Sequence, residues 1–151
     1  MSLRSIVRRW LLSDTEQQGL AAWAAFVRPE HHLYDQSGTL WDPATPARTD
    51  LGWGAGPGST LGWLQGMHEA DNALVINHFA IDKSLTGLGL GTRLAHGLGK
   101  AVKAHAGLEY LIFTEYTQSA EHDRFFTVRL GAIRQPCHYD HRRLEWNWKI
   151  P

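Results

Sequence analysis

The chain has 151 residues, enough for one hydrophobic core and cramped for two, so a single domain over residues 1–151 is expected. Lys plus Arg and Asp plus Glu each number 15, and a chain without net charge has no general field for a nucleic-acid backbone. Apolar residues at 43% exclude a disordered chain, and the only cysteine, Cys137, excludes an internal disulfide and a four-cysteine zinc site.

Met1–Leu12 is basic and partly apolar, but Arg8 and Arg9 split it, so it lacks the apolar stretch of a secretory signal. Ala21–Val27 is too short to cross a bilayer, and the cytoplasm, with no membrane partner, is the expected location. Ser13 and Glu16 fit a capping box. Leu20, Trp23, Ala24 and Val27 then recur at helical spacing until Pro29, which predicts a helix over Asp14–Arg28.

Periodicity fades over Glu30–Ser59, where Pro43, Pro46 and Pro57 lie among several glycines. Short strands are expected near Thr39–Trp41 and at Leu51–Gly54. So long an irregular stretch in a small domain points to function. Its Tyr34, Trp41, Asp35, Asp42 and Asp50 would suit a cationic amine.

Thr60–Gly66 and Asn72–Asp82 read as strands, joined through the polar Met67–Asp71 into an antiparallel hairpin. The second is almost continuously apolar from Ala73 to Ile81, as in a central strand covered on both faces. A glycine-rich turn follows. Leu90, Leu94, Leu98, Ala101, Val102 and His105 then mark one face of a helix that Gly107 caps. Tyr110–Thr114 is a buried strand, so strand, helix and strand form a right-handed βαβ unit with parallel strands. A last helix is expected from about Ser119 to Leu130. Ile133–His138 and Arg143–Lys149 form a β pair, with Leu144, Trp146 and Trp148 on one face. The expected class is α/β in the α+β sense: a mixed, mostly antiparallel sheet with a central parallel unit. The seven tryptophans are read as packing residues, and Gly97 and Gly99 as close contacts of the helix with the sheet.

The chemistry concentrates in Thr86-Gly-Leu-Gly-Leu-Gly91, between a buried strand and a helix start. Glycines at alternate positions let a ligand approach the backbone, and the helix N-terminus favours an anion. No Lys follows these glycines as a P-loop requires, and no register gives G-x-G-x-x-G. The segment resembles the coenzyme A loop of the GNAT N-acyltransferase superfamily, commonly Gln/Arg-x-x-Gly-x-Gly/Ala. Phe79-Ala-Ile-Asp82 before it and Thr92-Arg-Leu94 after it agree, and the order of elements matches over roughly residues 60–150.

The resemblance implies an N-acetyltransferase that moves an acetyl group from acetyl-CoA to a primary amine by direct attack in a ternary complex. Thr86, Gly87, Leu88, Gly89, Leu90, Gly91 and Thr92 would hold the cosubstrate. A backbone N–H within Phe79, Ala80 or Ile81 would face the developing oxyanion. Thr86 stands where the family usually has Arg or Gln. The family's phenolic acid also has no counterpart: Thr127 occupies its place by direct count from Gly131, or Phe126 if one residue is inserted.

A base is still required. His78 and Glu115 on the central strands lead, and Asn77 could position water. Tyr116 and Tyr139 could replace the missing phenol. His31, His32 and the Cys137–His141 stretch lack metal-site spacing, so no metal is expected. The acceptor would be a small amine or a peptide, and a homodimer is compatible with the resemblance. Two other readings stay open: a coenzyme A-binding module of this fold without catalysis, and a Trp-rich interaction domain.

Overall fold

The computed structural model describes residues 32–47, 50–54, 60–82, 89–116, 120–137 and 139–151. The helix expected over Asp14–Arg28 lies outside them, as do Trp10, Trp23, His31, His138 and the loop residues Thr86, Gly87 and Leu88.

The elements in chain order are β1 (His32–Tyr34), β2 (Asp50–Gly54), β3 (Thr60–Ala70), β4 (Ala73–Ile81), α1 (Leu90–Ala106), β5 (Tyr110–Glu115), α2 (Ala120–Asp123), a π-helical turn (Arg124–Arg129), β6 (Ile133–Pro136) and β7 (Leu144–Lys149). The strands form one seven-stranded sheet in the order β1-β2-β3-β4-β5-β7-β6, with β4 in the middle. Every pairing is antiparallel except β4 with β5. The βαβ unit, the β3–β4 hairpin and the final β pair are therefore where the sequence puts them.

Two expectations change. Thr39–Trp41 is not a strand. Asp35 Oδ1 accepts the amides of Ser37 and Thr39, both at 2.9 Å, and turns the chain back so that Leu40 makes a single bridge to Tyr34. The strand there is His32–Tyr34 instead.

The second change is at Met67–Asp71, which is not a connection. β3 continues to Ala70, and the turn is Asp71-Asn72, with Asp71 at φ 53°. The cause is a local break in alternation. Leu64 and Met67 on β3 are both core residues although three apart, and so are Ile76 and Phe79 on β4. The skip falls where Gly66 sits beside Asn77. Gly66 has φ +62°, and a Cβ there would lie 2.8 Å from Asn77 Cβ, so glycine is required. A skip of this kind disguises a strand as a loop when only the apolar pattern is read.

α1 packs its Leu90, Leu94, Leu98 and Val102 into the core, one every four residues. Gly107 at φ 69° ends it, its N–H bonded to Val102 O. Gly99 lies against the sheet as expected: a Cβ would sit 3.0 Å from Trp148 Cζ3. Gly97 instead lines a cavity of about 410 Å³ between α1 and the β1–β2 edge, with Leu33, Trp41 and Trp53. Trp53, Trp146 and Trp148 are core residues, whereas Trp63 is exposed.

Candidate functional site

β4 and β5 pair from Ala73↔Tyr110 only as far as Ile76↔Phe113. Beyond that point the two parallel strands separate. β4 continues as Asn77–Ile81 still paired with β3, and β5 continues as Thr114–Glu115 paired with β7.

The open edge of β4 can be read from its hydrogen bonds. Asp82 N–H donates to Leu61 O on β3 at 2.9 Å, and Asn77 O accepts Arg143 Nη2 on the other side at 2.6 Å. Backbone polar groups of alternate residues turn to the same edge. Phe79 and Ile81 therefore turn theirs into the split, and Ala80 turns its own toward β3. The Phe79 side chain is buried, 5.3 Å from the Phe113 ring and 5.8 Å from Phe125 between centroids. That burial fixes the strand from which its amide projects.

His78 and Glu115 meet across this split, with His78 Nδ1 3.3 Å from Glu115 Oε1. Glu115 is only 6% exposed, and its Oε1 accepts no hydrogen bond. The contact is thus at ion-pair distance without hydrogen-bond alignment. The His78 side chain is 42% exposed, so the imidazole reaches solvent while its carboxylate neighbour does not. A buried carboxylate beside Nδ1 favours the tautomer with the proton there, which leaves Nε2 as the acceptor.

Tyr116 follows at the end of β5 and is exposed. Its ring lies 3.9 Å from the Arg143 guanidinium carbon and 5.5 Å from that of Arg142. Tyr139 donates its hydroxyl to Asn77 Oδ1 at 2.5 Å and lies 3.2 Å from Thr114 Oγ1. Burial pushes the Tyr139 phenol above its ordinary value; its bond with Thr114 pulls the other way. Among the described residues no group of three or more His, Cys, Asp and Glu is placed to hold a metal.

At the other side of the split, Gly89 sits in the left-handed region at φ 77° and caps the start of α1. The first intrahelical bond is Arg93 N–H to Gly89 O at 3.1 Å, so Leu90, Gly91 and Thr92 carry N–H groups outside the intrahelical ladder. No acidic residue lies in the first turn to compete for them. A Cβ on Gly91 would lie 3.0 Å from Phe125 Cε2, which locks the helix start against the aromatic cluster.

The place of the missing phenol has a structural explanation. Leu130 N–H bonds to Phe125 O, five residues back, within the π-helical turn. Such a turn absorbs one extra residue. It sends Phe126 into the core, its ring 4.7 Å from Phe113 and 4.8 Å from Trp146 between centroids. Thr127 Oγ1 donates to Asp123 O at 2.6 Å, so its proton is engaged with the helix backbone. Thr127→Val should therefore leave turnover within about threefold of the parent. A thousandfold loss with unchanged coenzyme A binding would make that hydroxyl the acid.

Sequence reasoning named His78, Glu115, Tyr116, Asn77 and Tyr139 but missed Arg143 and Thr114, which tie them together. Arg143 is 8% exposed and donates Nε to Thr114 Oγ1 at 3.0 Å. Nothing in the Arg142-Arg143 doublet distinguishes it from the solvated start of a strand.

No protein-family model and no curated protein matches the chain. Solved structures do. A PaiA N-acetyltransferase from Thermoplasma acidophilum in complex with coenzyme A matches with a TM-score of 0.54 at 16% identity, over 67% of this chain and 60% of that one. An acetyltransferase from Thermus thermophilus matches with a TM-score of 0.55 at 14% identity, over 70% of this chain and 66% of that one. A ribosomal-protein alanine N-acetyltransferase from Escherichia coli matches with a TM-score of 0.50 at 14% identity, over 67% and 68%. The chain thus spans less than two thirds of the length of the first two. With its mostly antiparallel sheet and central parallel β4–β5 pair, the chain has the GNAT acetyltransferase fold.

Proposed function

We propose that this protein is an acyl-CoA-dependent N-acetyltransferase that acetylates a primary amine by direct attack in a ternary complex. The observation that carries this reading is the His78–Glu115 pair, whose buried carboxylate oxygen accepts no hydrogen bond, at the opening between β4 and β5. A buried, unsatisfied carboxylate is costly unless it serves something. Here it orients the imidazole that takes the proton of the amine.

Acetyl-CoA is the cosubstrate in this reading. Its pyrophosphate suits the N–H groups of Leu90, Gly91 and Thr92, with Gly89 shaping the approach; Thr86, Gly87 and Leu88 complete the loop in sequence. The coenzyme A held by the Thermoplasma acidophilum neighbour supports that choice. The Phe79 N–H faces the carbonyl oxygen as it gains charge. The amine nitrogen forms its bond to the acyl carbon, the carbon–sulfur bond breaks, and the sulfur leaves as thiolate. The amine's proton passes to His78.

The acceptor is a cationic amine, as a small molecule or a peptide. Asp50 pairs with Gln65, and Gln65 with His78, so Asp50 lies about two strand spacings, roughly 10 Å, from the proposed base. Asp50 and Gln65 line a cavity of about 180 Å³ with Tyr34 and Trp63, which suits a second positive charge on the acceptor.

A second reading is favoured by one observation. Neither Phe126 nor Thr127 offers a phenol, which fits a coenzyme A-binding module without catalysis. Thiol release from acetyl-CoA in the presence of monoamines, diamines and peptides separates the two. Amine-dependent release is expected, with lower KM for diamines than for monoamines of equal length. Coenzyme A binding without release for any amine would favour the module.

A further inference from the structure

Arg143 stands in the split itself. Its Nη2 donates to Asn77 O on β4 at 2.6 Å and reaches Thr114 O on β5 at 3.4 Å, while Nε donates to Thr114 Oγ1 at 3.0 Å. Asn77 and Thr114 are the first residues past the last paired rung, Ile76↔Phe113. The guanidinium therefore takes the place of the next ladder bonds and spans the two strands where they part. Thr114 Oγ1 also donates to Asn77 Oδ1 at 2.8 Å, which closes a second link across the same gap.

Arg143 is more than nine-tenths buried, yet among the described residues no carboxylate pairs with it. Its hydrogen-bond acceptors among the described residues are all neutral, and its flat face lies on Tyr116. Burying a guanidinium without a counter-ion is costly in general. A planar group that holds two carbonyls through Nη2 and the Thr114 hydroxyl through Nε at once is a geometry Lys cannot reproduce.

We propose that Arg143 is a positioning residue: it clasps β4 to β5 at a fixed separation and so sets where His78, the Phe79 amide and Glu115 stand relative to one another. This rests on the acetyltransferase reading above. The clasp acts through Asn77, directly before His78 and two residues before Phe79. It does not touch the start of α1, so it should govern the chemical step and leave coenzyme A affinity alone.

The test measures Arg143→Lys and Arg143→Ala beside the parent protein. A misplacement of about 1 Å at a reacting centre is enough for a hundredfold loss. Arg143→Ala should lose about 100-fold in kcat, with coenzyme A Kd changed by less than about threefold. Arg143→Lys should fall between, and added methylguanidinium should restore part of the kcat of Arg143→Ala. Hydrogen exchange of His78, Ala80 and Glu115 should quicken in Arg143→Ala while α1 is unchanged. Unchanged kcat, or kcat and coenzyme A affinity falling together without rescue, would overturn the proposal. If the parent turns over no amine, the acetyltransferase reading fails, and exchange still decides the clasp: unaltered exchange at those amides overturns it. If Arg143→Ala does not fold, Thr114→Val removes one link of the same clasp and should show the same kcat loss in smaller degree.

Discussion

Replacing His78 by Gln is expected to lower kcat/KM by about two to four orders of magnitude, the usual weight of a positioned general base. Gln keeps the size and polarity of the side chain and removes the basic nitrogen. The imidazole is the exposed member of the pair and Glu115 the buried one, so in the proposed mechanism His78 Nε2 is the group open to the amine's proton. Glu115→Gln should cost less, since it removes the orienting charge and leaves the base in place. In His78→Gln the reaction must wait for amine that is already deprotonated in solution, so raising the pH should restore part of the lost activity. Near-normal rates at every pH in both variants would remove the pair from the mechanism.

Gly89→Val is expected to weaken coenzyme A binding by at least about tenfold and to cost roughly 1–3 kcal/mol of stability. Gly89 sits at φ 77°, a region a β-branched side chain rarely enters. To relieve the strain the backbone must rotate, and the amides of Leu90, Gly91 and Thr92 rotate with it. Gly89→Asn separates conformation from bulk, because Asn tolerates the left-handed region. It should keep most of the affinity in calorimetry. Equal affinity in the parent and Gly89→Val, with helix content intact by circular dichroism, would detach the anion site from this helix start.

Much of this was legible in the sequence because the strongest signals are local. The apolar run of β4, the glycine turn and the four-residue spacing of α1 identify a βαβ unit without any tertiary information. The Gly107 cap follows from the ease with which glycine adopts φ 69°. The errors lie where a local irregularity shifts the phase. The skip at Gly66 and Asn77 hid the second half of β3. The π-helical turn, with its i to i−5 bond, is the irregularity that left the phenol's place open between Thr127 and Phe126 in the sequence. Arg143 was not legible at all: its role depends on two carbonyls on β4 and β5, 66 and 29 residues away in sequence.

Direct transfer between acetyl-CoA and an amine at the β4–β5 opening can be followed in a single-turnover experiment. The protein is held in excess over isotope-labelled acetyl-CoA, a diamine is added, and protein and small molecules are followed together by mass spectrometry. Acetylated amine and free coenzyme A should appear at equal rates, with no acetylated protein at any time. Label accumulating on the protein before the amine is acetylated, or label remaining on coenzyme A throughout, would contradict it.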